Sequence, residues 1–189
     1  MKRITKITLF ALGLATLSSL AILGLPAVVK AANGNIFNFD VACDCRTGDD
    51  TFTTGGNRGD AFLVNGKIFP AGTLPTGTAS NDPTQPVNGV ASIGDWICRG
   101  QVAGVFPPTV APAYALTPPY LYTQYYILKN GTFFTEGYSV GEGGQSAVTG
   151  GFGGYSGASG DLVAQVIGTN ISGCPNIRFK VSFQPGSMR

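Results

Sequence analysis

Hydrophobic and polar residues alternate along much of the chain with a period of two, which is typical of half-buried β-strands. The clearest run is 176–183, in which Ile177, Phe179 and every second residue onward are apolar. A second run, 35–45, places Phe37 and Phe39 on one side. Six further segments have the same character: residues 61–69, 95–102, 121–128, 132–138, 145–149 and 161–168. These patterns predict eight short strands and an all-β chain.

The segments between these strands are rich in residues that favour turns. Residues 128–132 contain Asn-Gly and predict a tight hairpin, and the glycine-rich stretches 141–144 and 150–160 also predict turns. Two longer insertions, 71–90 and 103–119, have the length of rims, lids or linkers. Eight strands at this spacing favour a β-sandwich or an up-and-down barrel, and composition does not choose between them.

Residues 1–31 have the organisation of a secretory signal peptide. Lys2, Arg3 and Lys6 precede an apolar run over residues 7–29, and Val29-Lys30-Ala31 fits a cleavage site after Ala31. An uncleaved membrane anchor is the alternative. We therefore expect one domain over residues 32–189, secreted, periplasmic or at the cell surface, with no stable membrane insertion after cleavage.

Charge and composition exclude several classes of function. Cleavage would remove four of the 12 Lys and Arg residues, leaving eight basic residues against ten acidic ones. This balance gives no support for a nucleic-acid partner. The chain contains no histidine, which excludes a Ser-His-Asp triad and histidine-ligated metal or haem sites.

All four cysteines, Cys43, Cys45, Cys98 and Cys174, follow the predicted signal. An even number of cysteines in an oxidising compartment favours disulfides. Cys43 and Cys45 would form a strained bridge with each other, so each is expected to pair with Cys98 or Cys174. Which cysteine pairs with which stays open. The alternative is a four-cysteine zinc site, for which one Cys-x-Cys and two distant partners are weak support.

The second glycine-rich stretch resembles the signature of a known superfamily. Residues 147–160 read Ala-Val-Thr-Gly-Gly-Phe-Gly-Gly-Tyr-Ser-Gly-Ala-Ser-Gly. They are similar to the Gly-Gly-x-Gly-x-Tyr/Phe-x-x-Ala-x-Gly motif of the allene oxide cyclase and dirigent barrels. Three more segments resemble the bacterial branch of that superfamily: residues 59–73, 94–100, and 123–126 together with 135–137. The resemblance covers about residues 33–183.

The resemblance implies an eight-stranded antiparallel β-barrel that holds a hydrophobic small molecule in its lumen. It further implies a cyclase, an isomerase or a protein that steers stereoselective coupling, working without a cofactor or a metal. A homotrimer or homodimer is the expected assembly. The alternatives are a carrier of hydrophobic ligands without turnover, and a cell-surface interaction barrel.

Three residues are the candidates for catalysis. Glu136 lies among aromatic residues and could act as a general acid or base if it faces the lumen, whereas facing water it would pair with a cation. Arg99 could hold a carboxylate or enolate oxygen, and Asp60 precedes a strand near the expected barrel mouth. The alternative for Arg99 is an exposed ion pair, and the alternative for Asp60 is an ordinary turn at the start of a strand. The predicted substrate-binding residues are Tyr126, Tyr138, Gln124 and Trp96.

Overall fold

The computed structural model describes residues 35–46, 58–103, 120–139 and 144–187. The predicted signal peptide, the predicted turn at 141–143 and most of the insertion at 103–119 lie outside the described residues.

The described residues form nine strands and contain no helix, so no helix among them could cross a membrane. The strands are β1 (Asn35–Asp44), β2 (Ala61–Pro70), β3 (Gly77–Thr78), β4 (Gly94–Val102), β5 (Tyr120–Leu128), β6 (Gly131–Ser139), β7 (Gly144–Gly153), β8 (Gly160–Thr169) and β9 (Pro175–Phe183). Eight of them pair antiparallel in the order β1-β2-β4-β5-β6-β7-β8-β9, and β9 pairs back with β1. The sheet is therefore a closed eight-stranded barrel, which confirms the predicted fold and excludes a sandwich.

The lumen contains aromatic side chains that period-two alternation turns inward. Phe39, Tyr126, Phe133 and Phe179 are fully buried there, and we call these four residues the aromatic plug. Tyr126 stacks on Phe133 with 4.4 Å between ring centroids, and Phe39 stacks on Phe179 at 5.4 Å. Each fully buried ring of this kind stabilises the fold by roughly 1.5–3 kcal/mol.

The two ends of the barrel differ. The strands β1, β4, β6 and β8 all end at one rim, where the connections to the next long strands begin, and we call this rim the mouth end. The opposite end has the Asn130-Gly131 hairpin and the turn after β7, where Tyr155 packs on Phe133 and Phe183 with centroids 5.2 and 5.8 Å apart. The aromatic plug and Tyr155 therefore close the lumen toward this second end.

The glycine-rich stretch is only partly the turn that its composition predicted. Strand β7 continues to Gly153, and a β-bulge lies opposite Phe134 and Thr135. A side chain at Gly151 would place its Cβ 2.4 Å from the carbonyl oxygen of Tyr155, so only glycine allows the following turn to fold back over the strand. The prediction of a turn over 150–153 was therefore wrong.

The insertion at 71–90 is neither a rim nor a lid, because it lies against the outer wall of the barrel. Its apolar residues cover outward side chains of β1 and β2 in a second small core: Ala42, Phe69, Leu74 and Val87. Asp40, fully buried, accepts hydrogen bonds from the backbone N–H of Gly72 and Leu74 at 2.9 and 3.2 Å. The insertion is therefore a fixed strap. Its short strand β3 pairs with β8.

One of the predicted disulfides is present. Cys45 and Cys174 are bonded, with 5.4 Å between their Cα atoms, and they tie the end of β1 to the start of β9. The second predicted bridge is wrong, since Cys43 and Cys98 are buried on the lumen side without a disulfide. Strand β2 lies between them, and they face different residues of it, so two strand spacings alone place their Cα atoms at least ~9 Å apart. A disulfide requires less than ~7 Å.

Candidate functional site

Polar side chains lie on the inward faces of four neighbouring strands, from the level of the aromatic plug toward the mouth end. We call them the lumen polar cluster: Trp96 and Cys98 on β4, Tyr122, Gln124 and Tyr126 on β5, Thr135 on β6 and Ser146 on β7. Strand register brings these residues together, because Cys98, Gln124 and Thr135 lie directly opposite one another on three neighbouring strands.

The centre of this cluster is a buried hydrogen bond between two residues of β5. The hydroxyl of Tyr126 donates to Oε1 of Gln124, and both side chains are buried. Burial raises the pKa of Tyr126 well above its ordinary value, and it raises the pKa of Cys98 to about 12. Burial also raises the pKa of Tyr122. These groups therefore stay protonated and uncharged at neutral pH.

Three polar atoms of the cluster are buried without a hydrogen-bond partner among the described residues: Trp96 Nε1, Thr135 Oγ1 and Ser146 Oγ. All three groups lie beside a tyrosine hydroxyl: Thr135 and Trp96 next to Tyr126, and Ser146 next to Tyr122. None of the three contacts has the geometry of a full hydrogen bond. Leaving a buried polar group unpaired costs about 1–3 kcal/mol. Such groups are uncommon, and an ordered water or a bound ligand is the usual partner for them.

Two glycines on the inward face leave room for neighbouring aromatic rings. A Cβ at Gly137 would lie 2.8 Å from both the Tyr122 ring and the Cβ of Ser146. A Cβ at Gly66 would lie 3.1 Å from the Trp96 ring and 2.7 Å from the carbonyl oxygen of Ala42. These glycines let the rings of Tyr122 and Trp96 lie close against the barrel wall.

The structure separates the predicted site residues into two groups. Tyr126, Gln124 and Trp96 come together in the lumen, whereas Tyr138 is exposed on the outer face of β6. Glu136 is also exposed on that face, because Phe133 and Thr135 occupy the inward positions of β6. The condition under which Glu136 would act as a lumen acid or base is therefore not met.

The other two candidates for catalysis also lie outside the cluster. Arg99 is exposed on the outer face of β4, with its guanidinium carbon 5.2 Å from the centroid of the Tyr125 ring. Asp60 is half-buried just before β2, and its carbonyl oxygen accepts the backbone N–H of Val102. Neither residue belongs to the row of inward side chains. The prediction that Arg99 points into the lumen is therefore wrong.

Arg99 and Glu136 instead line an open groove on the outer surface. Arg99, Thr123 and Glu136 lie opposite one another on β4, β5 and β6, and the groove beside them has a volume of about 470 Å³. A second depression of about 360 Å³ lies on the other side of Glu136, lined in part by Ala147 and Asp161. Both are open to solvent, which screens the charges along them.

Sequence reasoning missed Thr135 and Ser146 as lumen residues. Thr135 could have been found, because the Asn130-Gly131 turn pairs Leu128 with Gly131 and thereby sets Gln124 opposite Thr135. Ser146 could not, since its register with β6 depends on the loop before β7 and on the bulge within it.

No protein-family model and no curated protein sequence matches the chain. Solved structures with a similar backbone include a pyocyanin demethylase, 16% identical, covering 79% of this chain and 99% of that chain with a TM-score of 0.49. They also include a pterocarpan synthase dirigent protein, 10% identical, covering 78% and 82% with a TM-score of 0.47. A third is the Diels-Alderase AbmU from Streptomyces koyangensis, 11% identical, covering 83% and 72% with a TM-score of 0.46.

These three structures are barrels of the allene oxide cyclase/dirigent-like fold, the superfamily that the glycine-rich motif resembles. With identities of 16% or less and TM-scores below 0.5, the likeness says nothing about what this chain binds.

Proposed function

We propose that this barrel binds a hydrophobic small molecule against the lumen polar cluster and steers its cyclisation or stereoselective coupling. The observation that supports this most directly is the set of three polar atoms that are buried among largely apolar inward side chains and lack a hydrogen bond of full geometry among the described residues. Ligand sites in proteins are mostly apolar and contain a few polar groups, which is also the composition of the inward faces of these strands.

The chemistry proposed for this site is positioning followed by hydrogen bonding. The aromatic plug and the neighbouring wall would favour a compact fold of the ligand, which brings reacting atoms into a near-attack arrangement. The N–H of Trp96 and the hydroxyl of Thr135 would then stabilise charge that develops on a ligand oxygen. Neither step needs Glu136 or Arg99.

A carrier without turnover would use the same lumen, so only a measurement of turnover separates it from a catalyst. An interaction barrel would use the outer face, where the cross-strand neighbours Leu121 and Tyr138 are 54% and 52% exposed. In that case the polar atoms of the lumen would have no ligand to bind. The lumen proposal is therefore the one that accounts for them.

Export of the protein is part of the proposal. The Cys45–Cys174 disulfide is compatible with an oxidising compartment, where such bonds form and persist. The organisation of residues 1–31 supports secretion to the periplasm, the cell surface or the medium. Sequencing the amino terminus of the exported protein tests this, with cleavage after Ala31 as the expected result.

The functional test compares matched variants inside and outside the lumen. Thr135→Val and Ser146→Ala remove hydroxyls from the cluster, while Thr123→Val and Ser182→Ala remove hydroxyls from the outer face. We would incubate each purified protein with a panel of apolar enones, quinone methides and epoxides and measure product and stereochemistry by chiral chromatography. Only the lumen variants should lose binding or stereoselectivity.

The outcomes separate the three functions. Binding with selective turnover supports a catalyst, and binding without turnover supports a carrier. If the lumen variants and the outer variants behave alike, or no apolar compound binds, the lumen proposal is wrong and the interaction barrel replaces it.

A further inference from the structure

Two opposite charges lie two strands apart on the outer face of the barrel. Arg99 on β4 and Glu136 on β6 are exposed, and each lies directly opposite Thr123 of β5. Two strand spacings separate the Cα atoms of Arg99 and Glu136 by about 9–10 Å. The Arg99 guanidinium lies over the Tyr125 ring, and neither charge takes part in a salt bridge within the described part of the chain. Both charges are therefore available to a second molecule.

The outward side chains of β4, β5 and β6 form three rows that cross the strands and are centred on β5. We call this surface the β5 face, and its rows are Gln101–Leu121–Tyr138, Arg99–Thr123–Glu136 and Ile97–Tyr125–Phe134. Leu121 and Tyr138 are exposed, and the three side chains of the last row are half-buried. The β5 face is therefore a largely apolar surface with a positive charge on its β4 side and a negative charge on its β6 side.

The β5 face matches a second copy of itself. Consider two such faces in contact, related by a twofold axis that lies between them and runs parallel to β5. Rotation about this axis keeps each row at its level along the strands and exchanges the β4 side with the β6 side. Arg99 of each copy then meets Glu136 of the other, and Ile97 of each copy meets Phe134 of the other. The rotation therefore pairs opposite charges with each other and apolar side chains with each other.

Side-chain lengths on the β5 face suit the curvature of the barrel. Each strand lies one eighth of a turn from the next, so two barrels in this arrangement approach most closely at β5 and diverge toward β4 and β6. The charged row has its short side chain, Thr123, at the closest approach. Its two long side chains, Arg99 and Glu136, lie where the walls diverge. The open groove of about 470 Å³ beside this row leaves room for side chains of the second copy.

We infer that the β5 face is a self-complementary interface at which two copies of this barrel associate, with Arg99 of each copy paired to Glu136 of the other. The charges select the orientation, because a twofold axis across the strands would bring like charges together. A contact of this symmetry closes at two copies, which favours the homodimer over the homotrimer. None of these side chains faces the lumen, so the inference does not depend on the proposed function.

The experiment reverses the two charges separately and together. Sedimentation equilibrium of the exported protein gives the dimer Kd of the wild type, of Arg99→Glu, of Glu136→Arg and of the double variant. Three strands of a curved wall bury a small area, so we expect a wild-type Kd of roughly 1–100 µM and would cover about 1–300 µM protein. Lys180→Glu reverses an exposed cation on the outer face of β9 and is the control. Circular dichroism checks that each variant is folded.

The expected result is a dimer that each single reversal weakens at least ~tenfold, because each reversal turns both ion pairs into contacts between like charges. The double variant should dimerise with a Kd within about threefold of the wild type, since opposite charges meet again. An equimolar mixture of the two single variants should associate for the same reason. Lys180→Glu should leave the Kd of the dimer unchanged.

Three outcomes would overturn the inference. The first is a wild-type protein that stays monomeric over the whole concentration range. The second is an oligomer that survives both single reversals, which would show that another surface forms the contact. The third is a pair of monomeric single variants that do not associate when mixed, which would show that Arg99 does not pair with Glu136. Each of these results leaves the proposed function of the lumen untouched, because ligand binding there is measured separately.

Discussion

Asp40 and Arg178 form an ion pair on the outer wall of the barrel that joins β1 to β9. Nε and Nη2 of Arg178 donate to the two carboxylate oxygens of Asp40 at 2.8 and 3.1 Å. Asp40 has no exposed surface, because the strap over residues 71–90 covers it. The pair therefore lies where the barrel closes and where the insertion is attached.

Removing the cation should destabilise the fold strongly. Arg178→Met leaves the buried carboxylate of Asp40 without its charged partner, and we expect a loss of about 3–5 kcal/mol in the free energy of unfolding. Urea denaturation measures the free energy of unfolding of each variant. The control is Lys180→Met, which removes an exposed cation from the same face of β9. Equal stability of the two variants would show that the strap alone stabilises this carboxylate.

Acid should weaken the ion pairs of Arg46. Hydrogen bonds from this guanidinium hold the pKa of Asp44 and of Asp82 below their usual value, at distances of 2.9 and 2.8 Å. Both carboxylates have a lower pKa in the folded state than in the unfolded state. The stability that the two ion pairs contribute is therefore complete above about pH 4, and it is lost as the pH falls through the folded-state pKa values.

The measurement is the Tm of the protein between pH 2 and pH 6. The wild type should lose stability over this range more steeply than Arg46→Met, in which the two carboxylates lack their cation. Arg58→Met, a second exposed arginine near the mouth end, provides the control for loss of charge. Parallel curves for wild type and Arg46→Met would contradict the prediction.

Glu136 should be dispensable for any turnover in the lumen. Its side chain lies on the outer face of β6, next in sequence to Thr135, whose hydroxyl lies inside. We expect Glu136→Gln to keep the wild-type rate within twofold, whereas Thr135→Val should lower the rate at least tenfold on any substrate that the protein converts. A loss of turnover in Glu136→Gln with ligand binding retained would instead move the chemistry to the outer groove.

The cysteines should show one bridge and two buried thiols. With Cys45 and Cys174 bonded, alkylation of the exported native protein should label neither Cys43 nor Cys98. Denaturation without reductant should expose two thiols to the reagent, and reduction should expose four. Mass spectrometry counts the labels; no label in denaturant without reductant would reveal a second bridge.

Loss of the bridge that is present should cost stability. Cys45→Ala or Cys174→Ala opens the loop of 129 residues between them and should lower the free energy of unfolding by roughly 2–4 kcal/mol. Cys98→Ala is the control, because it removes a buried sulfur and leaves the bridge intact. Its loss in the free energy of unfolding is compared with that of the two bridge variants.

The sequence by itself determined the strands of this protein. Period-two alternation and Asn-Gly or glycine-rich turns are local properties, so all eight long strands were predicted within a few residues. The hairpin at Asn130-Gly131 even sets the register that brings Gln124 opposite Thr135. Local pattern also showed that Glu136 shares a face with Phe134 and Tyr138.

Only the tertiary structure decided which of the two faces is the lumen. Alternation is symmetric, and an aromatic outer face such as that of Phe134 and Tyr138 resembles an inner one until the sheet closes. The strand order also places β2 between Cys43 and Cys98, and the 71–90 insertion packs on the outer wall. These outcomes depend on pairings between residues far apart in the chain, which no local pattern encodes.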